Sequence, residues 1–451
     1  MSNLLGFQQT DSLGRYLGVP LLSSRGSSNT YKYILERIKS KLAGWKRNSL
    51  SLAGRITLAK SVLTTIPFYT MQTILLPVSC YKEIEKIIRN FVWGKPDGSR
   101  GISLIKWKDM CQPLKNGGCG LLNLETQNKA FIAKLIFQLH SQQDAFWVRI
   151  LTGKYGLGGG TRPMTSISPF WRNLQGLWQE TSFHVKQNPG DGSNTLFWDD
   201  YWVGEQGPLK HLAFSPISES DMSKTVKDYL DCNGNWRWNS FRDLLPPSIL
   251  DAIAAMRIPL SPSTKRVSWD LTENGEFTVK STYQYWESFQ WNNSAKIWRI
   301  VWKLPMTQRI RSFAWLLLKE KLLTNKERHR RHLTADLTCS ICTQPEEDLD
   351  HVFKRCPTAA AIWRHLLPPN LYVSFVNTPI TTWISSLLLG DNWPTSWKIG
   401  VLITCWKLWK VRNLSIFTND TFTVDGILAQ IRAIVLHSLN TFSAFLRKSL
   451  T

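Results

Sequence analysis

The stretch C-S-I-C-T-Q-P-E-E-D-L-D-H-V-F-K-R-C, residues 339–356, carries the most specific local pattern in the chain. Cys339 and Cys342 stand three positions apart, and His351 and Cys356 follow closely. Two thiolates at this spacing share a tight turn and can face one tetrahedral ion, which His351 and Cys356 can complete from a short helix. The stretch therefore predicts one structural zinc ion in a closed Cys3His site, with no coordination position left for water.

Other arrangements of these residues stay open at the level of sequence. His329 and His332 precede the cysteines, and either could replace His351 if the loop closes differently. The cysteines could also be buried free thiols. The remaining cysteines lack metal-ligand spacing and are expected to be small core residues: Cys80, Cys111, Cys119, Cys232 and Cys405.

Positive charge is abundant and unevenly spread in this chain of 451 residues. Lysine and arginine number 55 against 33 acids, a net charge of +22. Residues 1–130 hold 19 basic and 7 acidic side chains, 131–260 hold 12 of each, and 261–451 hold 24 and 14. Clustered basic charge favours binding to the phosphates of RNA or DNA. A basic globular surface without a polyanionic partner is the alternative.

The charge near the cysteines is also segregated. Residues 296–335 hold 11 basic and 2 acidic side chains, whereas 336–350 hold five acids and no basic residue. The nucleic-acid-binding candidates lie on this basic segment and on the N-terminal amphipathic helix: Lys326, Arg328, Arg330, Arg331, Lys46 and Arg47. Three tryptophans could pack behind the basic helices or stack on bases: Trp298, Trp302 and Trp315.

Composition disfavours several other classes of protein. Eight cysteines in a chain of this length are too few for a disulfide scaffold, and the first residues lack a secretory pattern. The charge-free stretch 61–81 contains Pro67, Pro77 and several threonines, which disfavours a membrane span. We therefore expect a nuclear or cytoplasmic protein that is not secreted.

The periodicity of apolar residues predicts a predominantly α-helical chain with small β hairpins. Helices are expected within 30–62, with Ser51 capping the second of them, and at 80–93 and 126–140. Asn274-Gly275 predicts a hairpin over 267–279, followed by a helix from Ser281. Short helical patterns then run from 297 to 333, with a cap at Thr324.

The same patterns divide the chain into four predicted parts. Residues 1–140 form a helical region, 141–260 a tryptophan-rich irregular segment, 261–370 a zinc-knuckle-like module, and 371–451 a helical tail. Three glycines in 117–120 predict a turn, because no G-K-[ST] follows them as a phosphate loop requires.

Phe197-Trp198-Asp199-Asp200 matches the aromatic-x-Asp-Asp signature of polymerase hairpins, in which two carboxylates hold metal ions. The flanking residues lack the apolar strands that such a hairpin needs. A residual metal-dependent nucleotidyl transferase using Asp199 and Asp200 is therefore only a minor alternative, and no hydrolase or deaminase motif is present.

Several phrases of the sequence resemble plant LINE-type (non-LTR retrotransposon) reverse transcriptases. They are RYLGVPL at 15–21, WKRNSLSLAGRITLAKSVLTTIPFYTMQTILLP at 45–77, NFVWG at 90–94, GGCGLLNL at 117–124, FWDDYW at 197–202 and WKLWKVRNLSIF at 406–417. Residues 269–331 with the cysteine stretch resemble the zinc-binding domain of those reverse transcriptases.

The resemblance implies a thumb-like or connection-like helical region followed by the zinc-binding domain, with Cys339, Cys342, His351 and Cys356 as its ligands. It also implies a polymerase fragment that lacks the palm and the RNase H domain, so we expect no enzymatic activity. The expected function is binding of zinc and of RNA or DNA, with a protein partner on the surface left by the missing palm. A decayed structural or interaction remnant is the alternative.

Overall fold

A computed structural model describes most of the chain. The described residues are 14–16, 18–20, 28–45, 49–94, 101–155, 167–200, 202–203, 208–259, 261, 266–292, 295–418 and 420–449. They form two compact units, each assembled from separate parts of the chain. The first unit comprises Met1–Leu35, Ile66–Lys82 and Leu124–Gln290, and the second comprises Glu36–Thr65, Glu83–Asn123 and Trp291–Thr451.

The described residues are predominantly α-helical, as predicted. The helices are α1 (Lys32–Ala43), α2 (Leu52–Leu58), α3 (Phe68–Met71), α4 (Val78–Trp93), α5 (Trp107–Cys111), α6 (Leu124–Ser141), α7 (Phe146–Tyr155), α8 (Pro169–Ser182), α9 (Glu219–Met222), α10 (Pro247–Ala254), α11 (Val279–Ser288), α12 (Lys296–Lys303), α13 (Gln308–Leu318), α14 (Asn325–Arg330), α15 (Pro357–Leu366), α16 (Pro369–Asn377), α17 (Ile380–Leu389), α18 (Thr395–Phe417) and α19 (Val424–Ser449). Two π-helical turns, Ala59–Leu63 and His351–Arg355, extend this set.

Strands are few and short. They are β1 (Arg15–Tyr16), β2 (Val19–Pro20), β3 (Val185–Asn188) and β4 (Arg266–Trp269). The pairs β1–β2 and β3–β4 are both antiparallel. No described helix is both long enough and apolar enough to cross a membrane.

Two hydrophobic clusters lie among the described residues of the first unit. In one, α6, α7 and α8 bury aliphatic side chains around Trp171, which stacks on Tyr155 with ring centroids 4.7 Å apart. In the other, 3-10 turns and α10 surround Phe197, whose ring lies 4.0 Å from that of Tyr229. Around Phe197 the backbone is irregular and aromatic side chains fill the core, whereas regular helices such as α7 and α8 also lie within residues 141–260.

The prediction of a β-hairpin around Asn274-Gly275 is wrong. The turn itself forms, since the Trp269 amide donates to the Gly275 carbonyl at 2.7 Å, but β4 pairs with β3 instead of a second arm. The residues after the turn do not form a strand. Phe277 stacks on Phe137, and Thr278 accepts the Ser281 amide as the cap of α11. Too few residues remain between turn and helix for a second strand.

In the second unit, α13 packs against α2 and α18, and α18 packs against α19. Ser51 caps α2 by accepting the Gly54 amide at 3.2 Å, and Thr324 caps α14 by accepting the Glu327 amide at 3.3 Å, as predicted. The predicted glycine turn is confirmed: Gly117 has φ +82°, and a Cβ on Gly118 would lie 2.0 Å from the Gln112 carbonyl oxygen.

Candidate metal centre

Cys339, Cys342, His351 and Cys356 lie together in the second unit. One ligand atom from each residue lies within 4.8 Å of the other three, and Cys342 Sγ is 3.2 Å from His351 Nε2. Cys339, His351 and Cys356 are buried, whereas Cys342 is partly exposed. The fold thus gathers four donor atoms from one short stretch of the chain.

The two N-terminal ligands sit on a loop closed by backbone hydrogen bonds. The Cys339 amide donates to the Gln344 carbonyl and the Thr343 amide to the Cys339 carbonyl, both at 2.9 Å. Thr343 closes the turn with a φ of +58°, a left-handed conformation that a β-branched residue rarely adopts. This turn places both thiols on the same side of the loop.

The other two ligands stand at the ends of the π-helical turn His351–Arg355. Asp348 Oδ1 accepts the His351 amide at 2.6 Å, and the Cys356 amide donates to the His351 carbonyl at 2.8 Å. Pro357 then begins α15, where its missing N–H costs no helical hydrogen bond. The short helix predicted to return both ligands is therefore present.

The donor set and its spacing fit zinc. In a tetrahedral site, Zn–S bonds of about 2.3 Å put neighbouring ligand atoms about 3.8 Å apart, which agrees with the observed cluster. Three thiols and one imidazole are also the soft donors that zinc prefers. The predicted cofactor, one structural zinc ion, is confirmed.

The thiols of the cluster interact strongly with one another. Hydrogen bonding from Cys356, together with the backbone amides of Ile341 and Cys342, lowers the pKa of Cys339 to about 4. The hydrogen bond with Cys339, together with burial and the charge of Cys339, raises the pKa of Cys356. A lowered thiol pKa favours the thiolate, which is the form that binds a metal ion.

The alternative ligands are not in the cluster. His329 Nδ1 lies 3.1 Å from the Thr334 carbonyl oxygen, and His332 occupies a left-handed turn with φ +57°. The remaining cysteines behave largely as predicted, since Cys80, Cys111, Cys119 and Cys405 are buried and only Cys232 is exposed.

Sequence reasoning missed a buried ion pair beside the zinc loop. Glu347 accepts from Arg412 Nη2 at 2.5 Å and from the Asn325 amide at 2.8 Å. Asn325 in turn donates to the Thr338 carbonyl at 2.7 Å, next to Cys339. Because Arg412 lies in α18, this network fastens the zinc loop to both α14 and α18.

Most of the predicted nucleic-acid-binding cations make contacts within the protein. Lys326 pairs with Glu346 at 2.5 Å, and Arg330 and Arg331 both pair with Glu327. Arg331 also donates to the carbonyls of Ser103 and Leu104. Arg328 donates to Asn325 Oδ1 at 3.0 Å. Lys46 and Arg47 lie outside the described residues.

The three tryptophans near these cations occupy different environments. Trp315 is fully buried and donates through Nε1 to the Gly117 carbonyl at 2.8 Å, so it belongs to the core. Trp298 and Trp302 are partly buried, and Lys319 Nζ lies 4.9 Å from the Trp298 ring centroid. The contacts of Trp315 therefore support the alternative in which the tryptophan packs behind the basic helices.

The two aspartates of the 197–200 motif do not form a metal pair. Asp199 forms an ion pair with Lys210, and Asp200 Oδ2 accepts the Leu196 amide at 2.9 Å. Within the part of the chain that the structure describes, the Cys3His cluster is the one group of three or more potential ligands close enough to hold a metal. The aromatic members of the motif, Phe197 and Trp198, are core residues of the first unit.

Comparison with known proteins supports the zinc site. Residues 277–363 match a family model described as zinc-binding in reverse transcriptase, and this range contains all four ligands. The chain is 31% identical over 428 residues to a protein of Arabidopsis thaliana named "Putative ribonuclease H protein", a match that covers 91% of the chain and 68% of the relative.

A second relative matches a smaller part of the chain. It is an Arabidopsis thaliana protein named "Uncharacterized mitochondrial protein", 28% identical over 155 residues, which are 33% of the chain and 98% of the relative. The first match corrects one expectation. We expected no enzymatic activity, and the extended similarity to a relative named as a ribonuclease H contradicts that expectation.

Proposed function

The chain belongs to the family of plant retroelement-derived proteins that includes the Arabidopsis ribonuclease H relative, and from this membership we propose that it binds RNA or DNA through the sugar–phosphate backbone. One observation carries the proposal. The second unit, which holds the zinc site, has 35 basic and 15 acidic side chains and thus +20 of the net charge of +22. A folded unit with this surplus attracts polyanions.

In this proposal zinc has a structural role. Its four ligands would close the loop 339–356, and the separate Glu347 network fastens that loop to α14 and α18. Lys326 and Arg330 are proposed outer contacts to phosphate, because their side chains are 53% and 64% exposed despite their acidic partners. Arg328 and Arg331 complete the proposed basic surface of α14.

A salt titration tests the proposed function. The full chain is titrated against labelled single-stranded RNA, single-stranded DNA and duplex DNA at several salt concentrations. Phosphate contacts release counterions, so the logarithm of the affinity should fall linearly with the logarithm of the salt concentration. Absence of binding at low salt, or affinity that does not change with salt, would contradict the proposal.

The name of the Arabidopsis relative favours a second candidate function, cleavage of RNA. The chain covers 68% of that relative, so the activity in its name is a reasonable property to test in this chain. The test is degradation of a labelled RNA strand, alone and in a hybrid with DNA, with and without magnesium. Intact RNA in every condition would leave binding as the function of this chain.

The type of retroelement from which the chain derives and its location in the cell are also proposals. The quoted motifs support an origin in a LINE-type element. Thiolate ligands require a reducing environment, which supports a nuclear or cytoplasmic location. A protein partner of the chain stays a prediction.

A further inference from the structure

The second unit contains a cavity whose lining includes basic side chains but no residue of helix α14. Its volume is about 420 Å3, within the range of about 300–1,000 Å3 that is typical of small-ligand sites. It is lined by parts of α13, α18 and the start of α2, and none of the described residues that line it is acidic. Two cations, Arg309 and Lys410, belong to its lining.

These two cations are exposed and lack counterions. Among the described residues, neither Arg309 nor Lys410 forms a hydrogen bond or an ion pair. The cations of α14 differ in this respect, because Lys326, Arg330 and Arg331 each have a carboxylate partner within 2.7 Å. An anion that binds at the cavity therefore does not have to displace a carboxylate.

The surroundings reinforce the positive potential. Arg309 stands in the first turn of α13, where no acidic residue offsets the positive end of the helix dipole. Placing a cation at a helix N-terminus costs stability, so this arrangement is unfavourable for the fold unless an anion binds there.

Two tryptophans of α18 lie beside the cations. Trp406, Trp409 and Lys410 are spaced so that they share one face of the helix, and all three line the cavity. Trp409 is held in place by Phe353, 6.3 Å away between ring centroids, and by the Arg412 guanidinium, 5.1 Å from its ring. Trp406 is partly exposed.

We propose that this cavity is a binding site for single-stranded nucleic acid, in which an unpaired base stacks on Trp406 while Arg309 and Lys410 bind the flanking phosphates. Aromatic faces beside a basic groove are the combination with which proteins hold single strands independently of sequence. A duplex keeps its bases stacked inside and cannot use the tryptophan. The inference rests on the proposed function and names the site and the form of the nucleic acid.

The test uses the full chain with a fluorescein-labelled oligodeoxythymidine strand and its RNA counterpart, oligouridine. The variant Arg309→Gln/Lys410→Gln should bind both strands more weakly, and the slope of log affinity against log salt should fall by about 1.4, because each lost phosphate contact on a single strand contributes about 0.7. Trp406→Ala should weaken binding about tenfold, the size of one stacking contact, with little change in the salt slope.

A control variant removes the same amount of charge elsewhere in the unit. Lys303 and Arg364 are exposed and are absent from the lining of the cavity, so Lys303→Gln/Arg364→Gln should change the salt slope and affinity much less. Zinc content and the circular dichroism spectrum, measured for every variant, show whether each has folded.

The outcomes separate this inference from the proposed function. If the wild-type chain binds with a salt dependence and the cavity variants bind equally well, the cavity is not the site, whereas backbone binding stands. Equal losses in the cavity and control variants would also overturn the inference, since only bulk charge would then matter. If the wild-type chain does not bind any strand at low salt, both proposals fail.

Discussion

Arg412 Nη2 lies 2.5 Å from Glu347 Oε1, and the two side chains are 5% and 0% exposed. The pair joins α18 to the loop 339–356, which carries the four zinc ligands. Glu347 lies within residues 277–363, which match the zinc-binding family model, whereas Arg412 lies outside them. A charge buried this deeply is costly unless its partner remains. The zinc loop therefore depends on a residue distant in sequence from its ligands.

Removing one charge of this pair should destabilise the second unit. We expect Glu347→Gln to lower the free energy of unfolding by about 3–5 kcal/mol, because Arg412 would keep a buried charge without a counterion. Urea denaturation monitored by circular dichroism measures the change. Glu346→Gln is the matched control, since its partner Lys326 is 53% exposed and the pair contributes less than about 1 kcal/mol. Equal effects of the two variants would contradict the structural role of Glu347.

Zinc should be present at one ion per chain and should hold the loop 339–356. We expect the Cys339→Ser/Cys342→Ser variant to lose the metal by elemental analysis, because serine hydroxyls do not replace thiolate ligands. Limited proteolysis should then cut within the loop, and a chelator should produce the same cut in the wild-type chain. Cys232→Ser is the control, since Cys232 is exposed and stands outside the cluster. A well-folded wild-type chain without zinc would refute the assignment.

The parts of the site that could be predicted are those encoded over short distances. Cys339, Cys342, His351 and Cys356 fall within one stretch, so spacing alone identified the ligands, and Ser51 and Thr324 were recognised as caps from their immediate neighbours. Glu347 and Arg412 are 65 positions apart, and nothing in either local pattern links them. The hairpin at Asn274-Gly275 failed for the same reason, because the partner of β4 is the distant strand β3.

Acid should weaken the ion pairs of α14 in a defined pH range. Hydrogen bonds from Arg330 and Arg331 lower the pKa of Glu327 from 4.5 to about 2. A carboxyl whose pKa is lowered by folding stabilises the protein above its unfolded pKa, and the contribution is lost as the pH falls through the folded value. We therefore expect the full contribution above about pH 4.5 and its loss toward pH 2.

The variant Glu327→Gln isolates this effect from other acid-sensitive groups. At pH 7 it should be about 2 kcal/mol less stable than the wild-type chain. This difference is smaller than the full pKa shift of Glu327 implies, because Arg330 is exposed and water screens its ion pair. The difference between the two proteins should shrink as the pH is lowered from 4.5, because the wild-type carboxylate is then neutralised as well. Urea titrations at a series of pH values measure it. A difference that does not change with pH would exclude Glu327 as the titrating group.

Asn128 should be among the residues of the first unit that tolerate substitution least. Its side chain is fully buried; Oδ1 accepts from the Leu76 amide at 3.0 Å and the Tyr81 hydroxyl at 2.8 Å, and Nδ2 donates to the carbonyls of Met71 at 2.7 Å and Ile74 at 2.9 Å. All four contacts of the amide are thus used to hold the segment between α3 and α4 against α6.

Substitution of this amide leaves several buried polar groups without partners. We expect Asn128→Ala to lower the free energy of unfolding by about 3 kcal/mol or more, since each orphaned buried group costs about 1–3 kcal/mol. Asn233→Ala is the control, because Asn233 is exposed in a turn and a surface substitution usually changes stability by about 0.5 kcal/mol or less. Zinc content should be unchanged in both variants, because Asn128 and Asn233 lie in the unit without the metal ligands. Near-equal stability of the two variants would show that water replaces the lost amide.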